Sequence, residues 1–580
     1  MGRILPHFLG GPSGGSPGGS GEIRYNQGMR PPSGFGRRFS AGARLLLAGL
    51  LLGGSPVRGE SLLARSPGPR RPGTPSYRGY RIARIHIIRR RIFDTSVPSE
   101  NKSVYRGINA LHVSTTERTI HQQLLFEEGD LYDPALARES ERALRGILRL
   151  RDVSVVPVPV GNGRVDVMVE SQETWSTQPS ASASGTGSDL KYRFGLREKN
   201  LFGLGKDLNF VYKKAAGRVS RSVGYDDPAL LGTRWRLGGF YEDTTDGSAR
   251  SLRVERPFFS SVTPFALRTA GGYTRTETPI YVAGQEVNRL GKENREFFAG
   301  PAVSLWSTTK RIRRLGVEYG YRHNKLFDTK PVRSLREDKV YHSVGPTIQW
   351  DRENFITVDH VRTYDREEDI NLGPTLTVNV GFARSNWFRE SGDATFAKAD
   401  AGRGAALGPG AFALATVSGE GQREDGVWKN TRTRWAVEYN NHFSRAQTLT
   451  ARATWEQVLR PGDETQLLLG GDTGLRGYPL NEFDGNRLFS AIVEDRLFFF
   501  PDVLHLFGLG GVIFADSGYA WPRGAAVRFR DLRADVGVGL RFHISRASLG
   551  HVIRLDVARP LRPIEGERYW LVTFGTSQVF

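Results

Sequence analysis

A two-residue alternation of apolar and polar side chains runs through most of the chain and constrains the fold more than any other feature. In "TLTVNVGFA", residues 375–383, Leu, Val, Val and Phe alternate with Thr, Asn and Gly. Residues 314–321 and 533–544 show the same pattern, and stretches rich in Gly, Asp and Asn separate such segments. Successive side chains of a strand point to opposite faces. The sequence from residue 175 onward therefore predicts a mainly β structure of antiparallel strands.

Hydropathy decides which β structures are possible. No apolar run reaches the roughly 18 residues of a membrane helix, and the mean hydropathy is −0.40. A soluble sandwich and a transmembrane barrel both alternate, but here the polar face carries Gly, Arg, Glu and Asn, as a wet lumen would. The segment "YWLVTFGTSQVF" is expected to be the last barrel strand, with Phe574, Gly575 and Phe580 as its terminal signal. We expect a transmembrane antiparallel β-barrel of about 16 strands over residues 175–580, with about 25 residues for each strand and its loop.

The composition excludes several classes of function. The chain has no cysteine, so disulfides, thiolate metal sites and cysteine nucleophiles are excluded. The formal charge of +20 comes from scattered arginines without a nucleic-acid-binding motif, and an Arg-rich lumen or a lipopolysaccharide-facing rim accounts for it as well. No Ser/His/Asp or metal-ligand constellation emerges among the 11 histidines. We expect no enzyme activity, no cofactor, no metal, no nucleic acid and no small-molecule substrate.

The N-terminal region is typical of an export address. Residues 1–59 are predicted to be a low-complexity leader with a signal peptide: Arg37 and Arg38 are basic, residues 45–52 are apolar, and residues 57–59 form a cleavage site. Met1 and Met29 both remain possible starts. Residues 60–79 form a linker rich in Pro and Arg.

A small α/β module of order β-α-α-β-β is predicted over residues 80–174. An irregular insertion separates the first strand from the first helix. Ser114 and Glu117 have the spacing of a capping box, and Pro134 fits the first turn of the second helix. The next strand contains Pro157 and Pro159, which predicts an edge position because proline cannot donate to a ladder.

Two parts of the chain resemble known families. The module, with "LLFEEGDLYD", "LRGILRLRDVSVV" and "VDVMVES" in this order, resembles a polypeptide-transport-associated (POTRA) domain. The barrel region resembles the outer-membrane assembly superfamily of BamA/TamA type, since "EKNLFGLGKDL" looks like its early barrel hairpin and "DPALLGTRW" and "VERPFFS" are also similar. This resemblance implies a surface-antigen-like barrel in the bacterial outer membrane with the module in the periplasm.

The most specific similarity lies near the C-terminus. "GLRGYP" resembles the V-R-G-F/Y motif of that superfamily, which lies on a loop folded back into the lumen, although Leu475 replaces the usual Val. The resemblance implies that carboxylates on the two following wall strands hold the loop arginine, and the glycine is expected to allow a turn with positive φ. The implied loop residues are Leu475, Arg476, Gly477 and Tyr478, and the implied wall partners are Glu494, Asp516 and Gly518.

The same region contains the tripeptides of an aspartic protease. Asp-Thr-Gly occupies residues 472–474 and Asp-Ser-Gly occupies residues 516–518. A catalytic dyad needs two carboxylates on matching turns, which two equivalent lobes supply in the two-lobed enzymes. The two tripeptides are too close in the chain for two lobes, and Asp472 follows two glycines. We therefore expect no protease.

Two functions remain open. In the first, the barrel inserts, assembles or translocates polypeptides, the module binds client strands at its edge, and a weak seam between the first and last strands is the working part, as the resemblance implies. In the second, the chain is a passive porin or receptor channel. The expected partners are the outer-membrane bilayer, lipopolysaccharide and unfolded polypeptides.

Overall fold

The computed structural model describes residues 77–575 apart from gaps at 185–190, 216–217, 330–333, 362–366, 389, 445, 548–551 and 565–569. The predicted leader and signal peptide, most of the linker and Phe580 lie outside these residues. The described chain forms a small α/β module followed by a closed barrel.

The module has a three-stranded sheet with helices between its first and second strands. Its elements are strand β1 (Arg81–Arg90), a short 3-10 turn (Pro98–Glu100), helices α1 (Ser103–Leu111), α2 (Glu117–His121) and α3 (Pro134–Ala143), and strands β2 (Arg151–Gly161) and β3 (Arg164–Gln172). The strand order is β1-β3-β2, with β1 parallel and β2 antiparallel to β3. Among the residues that the structure describes, no helix is long and apolar enough to cross a membrane.

The apolar positions of these elements meet in one core, whose fully buried members include Ile82, Ile120, Leu144, Val165 and Val167. The prolines of β2 lie on an outer strand of the sheet, as predicted, because there the missing N–H groups are tolerated.

Two local predictions for the module are wrong. The insertion expected to be irregular contains α1, a regular helix whose Tyr105 is buried against Phe93. Helix α2 is capped by Thr116, whose hydroxyl accepts a hydrogen bond from the Thr119 N–H at 3.2 Å, and not by Ser114. Thr is also a favoured N-cap residue, so the spacing rule identified the helix but placed its start too early.

The barrel strands follow one another around the wall in chain order. Its first ten strands are β4 (Thr177–Ser184), β5 (Lys191–Leu201), β6 (Lys206–Ala215), β7 (Arg218–Asp227), β8 (Arg236–Thr244), β9 (Gly247–Arg256), β10 (Phe265–Val282), β11 (Gln285–Ser304), β12 (Arg311–Asp328) and β13 (Leu335–Arg352). A two-stranded sheet of β14 (Phe355–Val358) and β15 (Glu368–Asn371) then interrupts the wall.

The second half of the wall has the same plan. Its strands are β16 (Thr375–Ala383), β17 (Ala394–Gly408), β18 (Ala411–Glu424), β19 (Val427–Ser444), β20 (Gln447–Leu459), β23 (Arg487–Val503), β24 (Phe507–Trp521), β25 (Arg533–Ile544), β26 (Val552–Pro560) and β27 (Leu571–Gly575). Between β20 and β23 lies a second small hairpin, β21 (Leu467–Leu469) with β22 (Phe483–Gly485).

The prediction of about 16 strands is wrong, because twenty strands close the barrel among the described residues. The estimate allowed too much chain for each connection. Several hairpins close through two residues, such as Ala283–Gly284 between β10 and β11 and Pro409–Gly410 between β17 and β18. Two-residue loops are the commonest hairpin connections, so more strands fit into the same length of chain.

Burial is inverted relative to a soluble sandwich, and β25 shows this best. Its apolar side chains face outward and are 40 to 57% exposed: Val536, Val538, Leu540, Phe542 and Ile544. Its polar side chains Asp535, Arg541 and His543 face inward and are 0 to 2% exposed. Apolar-out and polar-in alternation around a closed sheet is the arrangement of a transmembrane barrel. The soluble sandwich is therefore excluded, and the fold is that of an outer-membrane protein.

The barrel closes between its first and last strands, β4 and β27. Among the described residues, the two strands share one register pair, Phe574 opposite Ala183. On its other side β27 pairs with β26 from Ala558 to Arg554, and β4 pairs with β5 along all of its length. We call this first-to-last junction the seam, and it is the least extensively paired junction in the described wall.

Candidate functional site

The connection between β20 and β23, residues 460–486, folds back against the inner wall. Its small hairpin β21–β22 lies beside β24, and the side chains of Leu475 and Tyr478 are 0% and 1% exposed. They belong to an apolar cluster that includes loop and wall residues: Val458, Leu467, Leu469, Phe483, Leu488 and Ala520. This packing fixes the loop and directs Arg476, between Leu475 and Tyr478, towards the lumenal face of β23 and β24.

Arg476 is held by two carboxylates on those strands. Its Nε and Nη2 donate to Asp516 Oδ2 and Oδ1, both at 2.7 Å, and its Nη1 donates to Glu494 Oε1 at 2.7 Å. The Phe514 ring lies under the guanidinium, 3.4 Å from its central carbon to the ring centroid. A planar fork can bind one carboxylate through two bonds and stack on an aromatic ring at the same time, and lysine cannot copy this geometry.

All three charged side chains are almost completely removed from water. Arg476, Glu494 and Asp516 are each 0 to 1% exposed. Removing one partner of such a buried group costs about 3–5 kcal/mol, because the remaining charges are left uncompensated. Breaking only part of this buried network is therefore costly in free energy, so the loop is held firmly against the wall.

Further arginines extend this network along the wall. Arg496 on β23 donates through Nε to Glu494 Oε2 at 2.9 Å. Asp556 on β26 accepts from Arg541 on β25 and from Arg554 Nη1 at 3.0 Å, and it lies 3.7 Å from Arg476 Nη1. Four neighbouring strands, β23 to β26, thus contribute side chains to one buried network of charges.

The network reaches the strand that forms the seam. Arg554 is the register partner of Gly575 on β27. A Cβ atom on Gly575 would lie 3.0 Å from Arg554 Nε, so glycine leaves the room that the arginine occupies. Phe574, the preceding residue, forms the seam pair with Ala183. Phe574 and Gly575, the described part of the predicted terminal signal, therefore lie between the charge network and the seam.

The predicted positive φ at Gly477 is wrong, because Gly477 is not among the glycines that have a positive φ. A Cβ atom at this position would lie 2.5 Å from the Asp535 Cβ and 3.0 Å from the Pro560 backbone nitrogen. The loop backbone approaches the wall so closely that only glycine fits. Positive φ occurs instead at Gly474, where φ is 131°.

Tyr478 and Gly518 also seat the loop. The Tyr478 hydroxyl lies 3.0 Å from the Arg562 carbonyl oxygen and 3.3 Å from that of Ala534. The side-chain hydrogen bonds of Arg476 in the described part of the chain go to Glu494 and Asp516. At Gly518 a Cβ atom would lie 2.5 Å from the Phe489 carbonyl oxygen and 2.9 Å from Leu469 Cδ2, so glycine makes room for the loop hairpin.

The geometry is also incompatible with the protease alternative. Both oxygens of Asp516 accept hydrogen bonds from Arg476, whereas a catalytic dyad needs two carboxyl groups that share a proton. The side chain of Asp472 lies outside the described part of the chain.

A second inward segment meets the network from the end of the barrel that carries the module. This segment, residues 353–361 and 367–374, contains the β14–β15 hairpin, and we call it the inner hairpin. Arg496 donates through Nη1 to the Val361 carbonyl oxygen of the inner hairpin. On its other side, the inner hairpin is tied to the π-helical turn Leu144–Leu148 that follows helix α3 of the module, where Arg145 Nη2 lies 2.7 Å from Asp369 Oδ2. Contacts therefore run from the module through the inner hairpin to Glu494.

Several residues of the network were missed from the sequence. Asp535, Arg541, Arg554 and Asp556 lie at inward positions of β25 and β26, where alternation marks them as lumenal. Charged residues at the inward positions of the strands after the loop were the available signal. The resemblance concerned only the first two of these strands.

The fold and this site define a class: a closed outer-membrane β-barrel with an arginine-bearing loop locked in its lumen and a small α/β module at one end. No protein-family model and no curated protein matches the chain. It is similar to the solved structure of BamA from Haemophilus ducreyi lacking POTRA domains 1–3, with 14% identity, a TM-score of 0.39, and 86% of this chain and 85% of that chain covered.

Two further solved structures are similar. CdiB from Escherichia coli has 14% identity and a TM-score of 0.43, with 85% of this chain and 76% of that chain covered. CdiB from Acinetobacter baumannii has 12% identity and a TM-score of 0.41, with 86% and 74% covered. All three identities are below 25% and all three TM-scores are below 0.5, so function is argued from the chain's own residues.

Proposed function

We propose that the protein inserts, assembles or translocates polypeptides at the bacterial outer membrane, acting by binding and not by catalysis. The observation that carries this proposal is the unequal wall. Arg476 and its carboxylates tie β23 to β26 together, whereas among the described residues the adjacent seam has one register pair, Phe574 with Ala183. A barrel that only conducts ions has no need for a wall that is locked on one side and sparsely paired beside it. Opening at the seam would give a client strand access to backbone groups and to the bilayer.

The module would receive the client on the periplasmic side. Strand β2 is an edge of its sheet, and Val156, Val158 and Val160 on it are 42 to 50% exposed. An extended client segment can add to such an edge, with main-chain hydrogen bonds giving affinity and apolar side chains lying on the valines. The two prolines of β2 limit the number of these bonds, which favours weak and reversible binding.

The proposed surroundings follow from the outer surface and the charge. The outward valines, leucines and phenylalanines would contact the bilayer, and the excess of arginine would contact lipopolysaccharide. Within this proposal the module lies in the periplasm, and no small molecule or nucleic acid is needed.

Two experiments test the proposal. A photo-crosslinker at Val158 should capture unfolded polypeptides in cells, whereas one at Leu111, which is 78% exposed on α1 of the same module, should not. Reconstituted in liposomes, the protein should accelerate insertion of an unfolded barrel client above the rate of empty liposomes. Ion conduction without any acceleration would support the passive channel and contradict the proposal.

A further inference from the structure

Three side chains that the barrel network does not use converge at the tip of the inner hairpin. Asp359 and His360 directly follow β14. His442 lies near the C-terminal end of β19, at the end of the barrel that carries the module. The Nδ1 atoms of His360 and His442 lie 3.4 Å and 3.6 Å from the two oxygens of Asp359. One ligand atom from each residue lies within 4.8 Å of the others. Two imidazoles thus face one carboxylate across a gap of the size of an ion.

The arrangement is held in place from several sides. The ring of His360 packs edge-on against Phe498 at 4.7 Å and against His442 at 5.5 Å. Among the described residues, His360 Nδ1 is buried without a hydrogen-bond partner, and the Asp359 oxygen beside it is 3.4 Å away. The backbone of His360 has φ of 55°, in the left-handed region that is uncommon outside glycine. A buried ring nitrogen without a hydrogen bond in the described part of the chain, beside a second imidazole and a carboxylate, favours a ligand.

We propose that Asp359, His360 and His442 form a binding site for a divalent transition-metal ion of the zinc class. Imidazole nitrogen with carboxylate oxygen is a donor set that such ions prefer. Donors placed tetrahedrally ~2.1 Å from one ion lie roughly 3.4 Å apart. Each ring nitrogen is near this distance from a different oxygen of Asp359, and one ligand atom from each of the three residues lies within 4.8 Å of the others. Three protein ligands leave a fourth position for water or for a donor group of another molecule.

The ion would join two parts of the chain that are far apart in sequence. Asp359 and His360 belong to the inner hairpin, and His442 belongs to the wall. Val361, the next residue, accepts the hydrogen bond from Arg496 of the charge network. The bound ion therefore clamps the tip of the inner hairpin to the wall beside that network. No metal site was expected from the sequence, in which 442 − 360 = 82 positions separate the two histidines.

The test uses untagged full-length protein refolded in detergent and freed of metal with a chelator. Because the chain has no cysteine, thiolates cannot compete for the ion. Equilibrium dialysis with Zn²⁺ should give one ion per chain, and Co²⁺ should give the visible absorption of a four-coordinate site. Zn²⁺ should also raise the midpoint temperature at which the barrel loses its heat-modifiable migration on gels.

Two variants and one matched control complete the test. Asp359→Asn and His442→Gln should weaken Zn²⁺ binding at least roughly tenfold and remove the gain in midpoint temperature. The control is His505→Gln, which changes a single histidine–carboxylate pair with Asp502, 2.6 Å apart, on a nearby turn. It should leave binding unchanged. The proposal would be overturned if the unsubstituted protein bound no Zn²⁺, or if the folded Asp359→Asn variant bound Zn²⁺ with unchanged affinity.

Discussion

The two sides of strand β27 are built in opposite ways. On one side, β23 to β26 are paired along their length and share buried charges around Arg476. On the other side, the seam to β4 has the pair of Phe574 with Ala183 among the described residues. In the described wall, the part with buried charges and the junction with the fewest paired residues thus lie within a few strands of each other.

This difference indicates where the barrel can open. Ladder hydrogen bonds and buried charges resist separation, so the least paired junction separates first. The locked side then acts as a fixed frame, and the loop transmits its position to β26 and β27 through Asp556 and Arg554.

The largest effect is expected for Arg476→Ala. It leaves Glu494 and Asp516 buried with fewer positive partners, which should lower the free energy of unfolding by about 3–5 kcal/mol. Client insertion should fall while the protein still reaches the membrane. Urea titration followed by gel migration measures the stability. The matched control Arg523→Ala, at an exposed position in the next turn, should change neither quantity.

Gly477→Ala should act next most strongly. Its Cβ would lie 2.5 Å from the Asp535 Cβ, so the loop must move away from the wall at a cost of about 1–3 kcal/mol. The same titration tests this. Gly239→Ala on β8, where a Cβ atom meets nothing within 4 Å, is the control. Equal stability of the two variants would mean that the loop is not tightly seated.

Tyr478→Phe keeps the ring in its apolar cluster and removes the hydroxyl. The carbonyl of Arg562 then loses its 3.0 Å partner, and we expect a loss of about 1 kcal/mol. Tyr241→Phe, whose ring is 50% exposed on the outer face, should be neutral in the same titration. A larger effect at Tyr241 would contradict the assignment of inner and outer faces.

The smallest effect is expected at the contact between the module and the inner hairpin. Arg145→Ala removes the ion pair with Asp369. The side chains of Arg145 and Asp369 are 15% and 14% exposed, and losing the pair should weaken the docking of the module by about 1 kcal/mol. Limited proteolysis should release the module faster while barrel stability stays unchanged. Arg138→Ala, at an exposed position of the preceding helix α3, is the control. An equal increase in cleavage for both variants would remove the ion pair from module docking.

The sequence revealed what depends on local pattern. Alternation predicted the strands, and the placement of Arg476 opposite Glu494 and Asp516 followed from a resemblance plus inward positions on β23. The features that the sequence did not predict depend on contacts between segments that are far apart in the chain. The role of Gly477 is set by Asp535 on another strand, and Gly518 makes room for Leu469 of the loop.

The number of strands and the histidine cluster escaped for similar reasons. Loop length decides how many strands a given chain can form, and alternation does not measure it. His360 and His442 come together only because the inner hairpin folds into the barrel, which no short-range pattern encodes.

The central claim is that the seam opens during function, and a reversible lock tests it most directly. The cysteine-free chain allows one disulfide between Ala183→Cys and Phe574→Cys across the seam, and a control disulfide between Val557→Cys and Val572→Cys on the other side of β27. We predict that the seam disulfide abolishes client insertion in liposomes until a reductant is added, and that the control retains activity. Full activity of the oxidised seam variant would contradict this account.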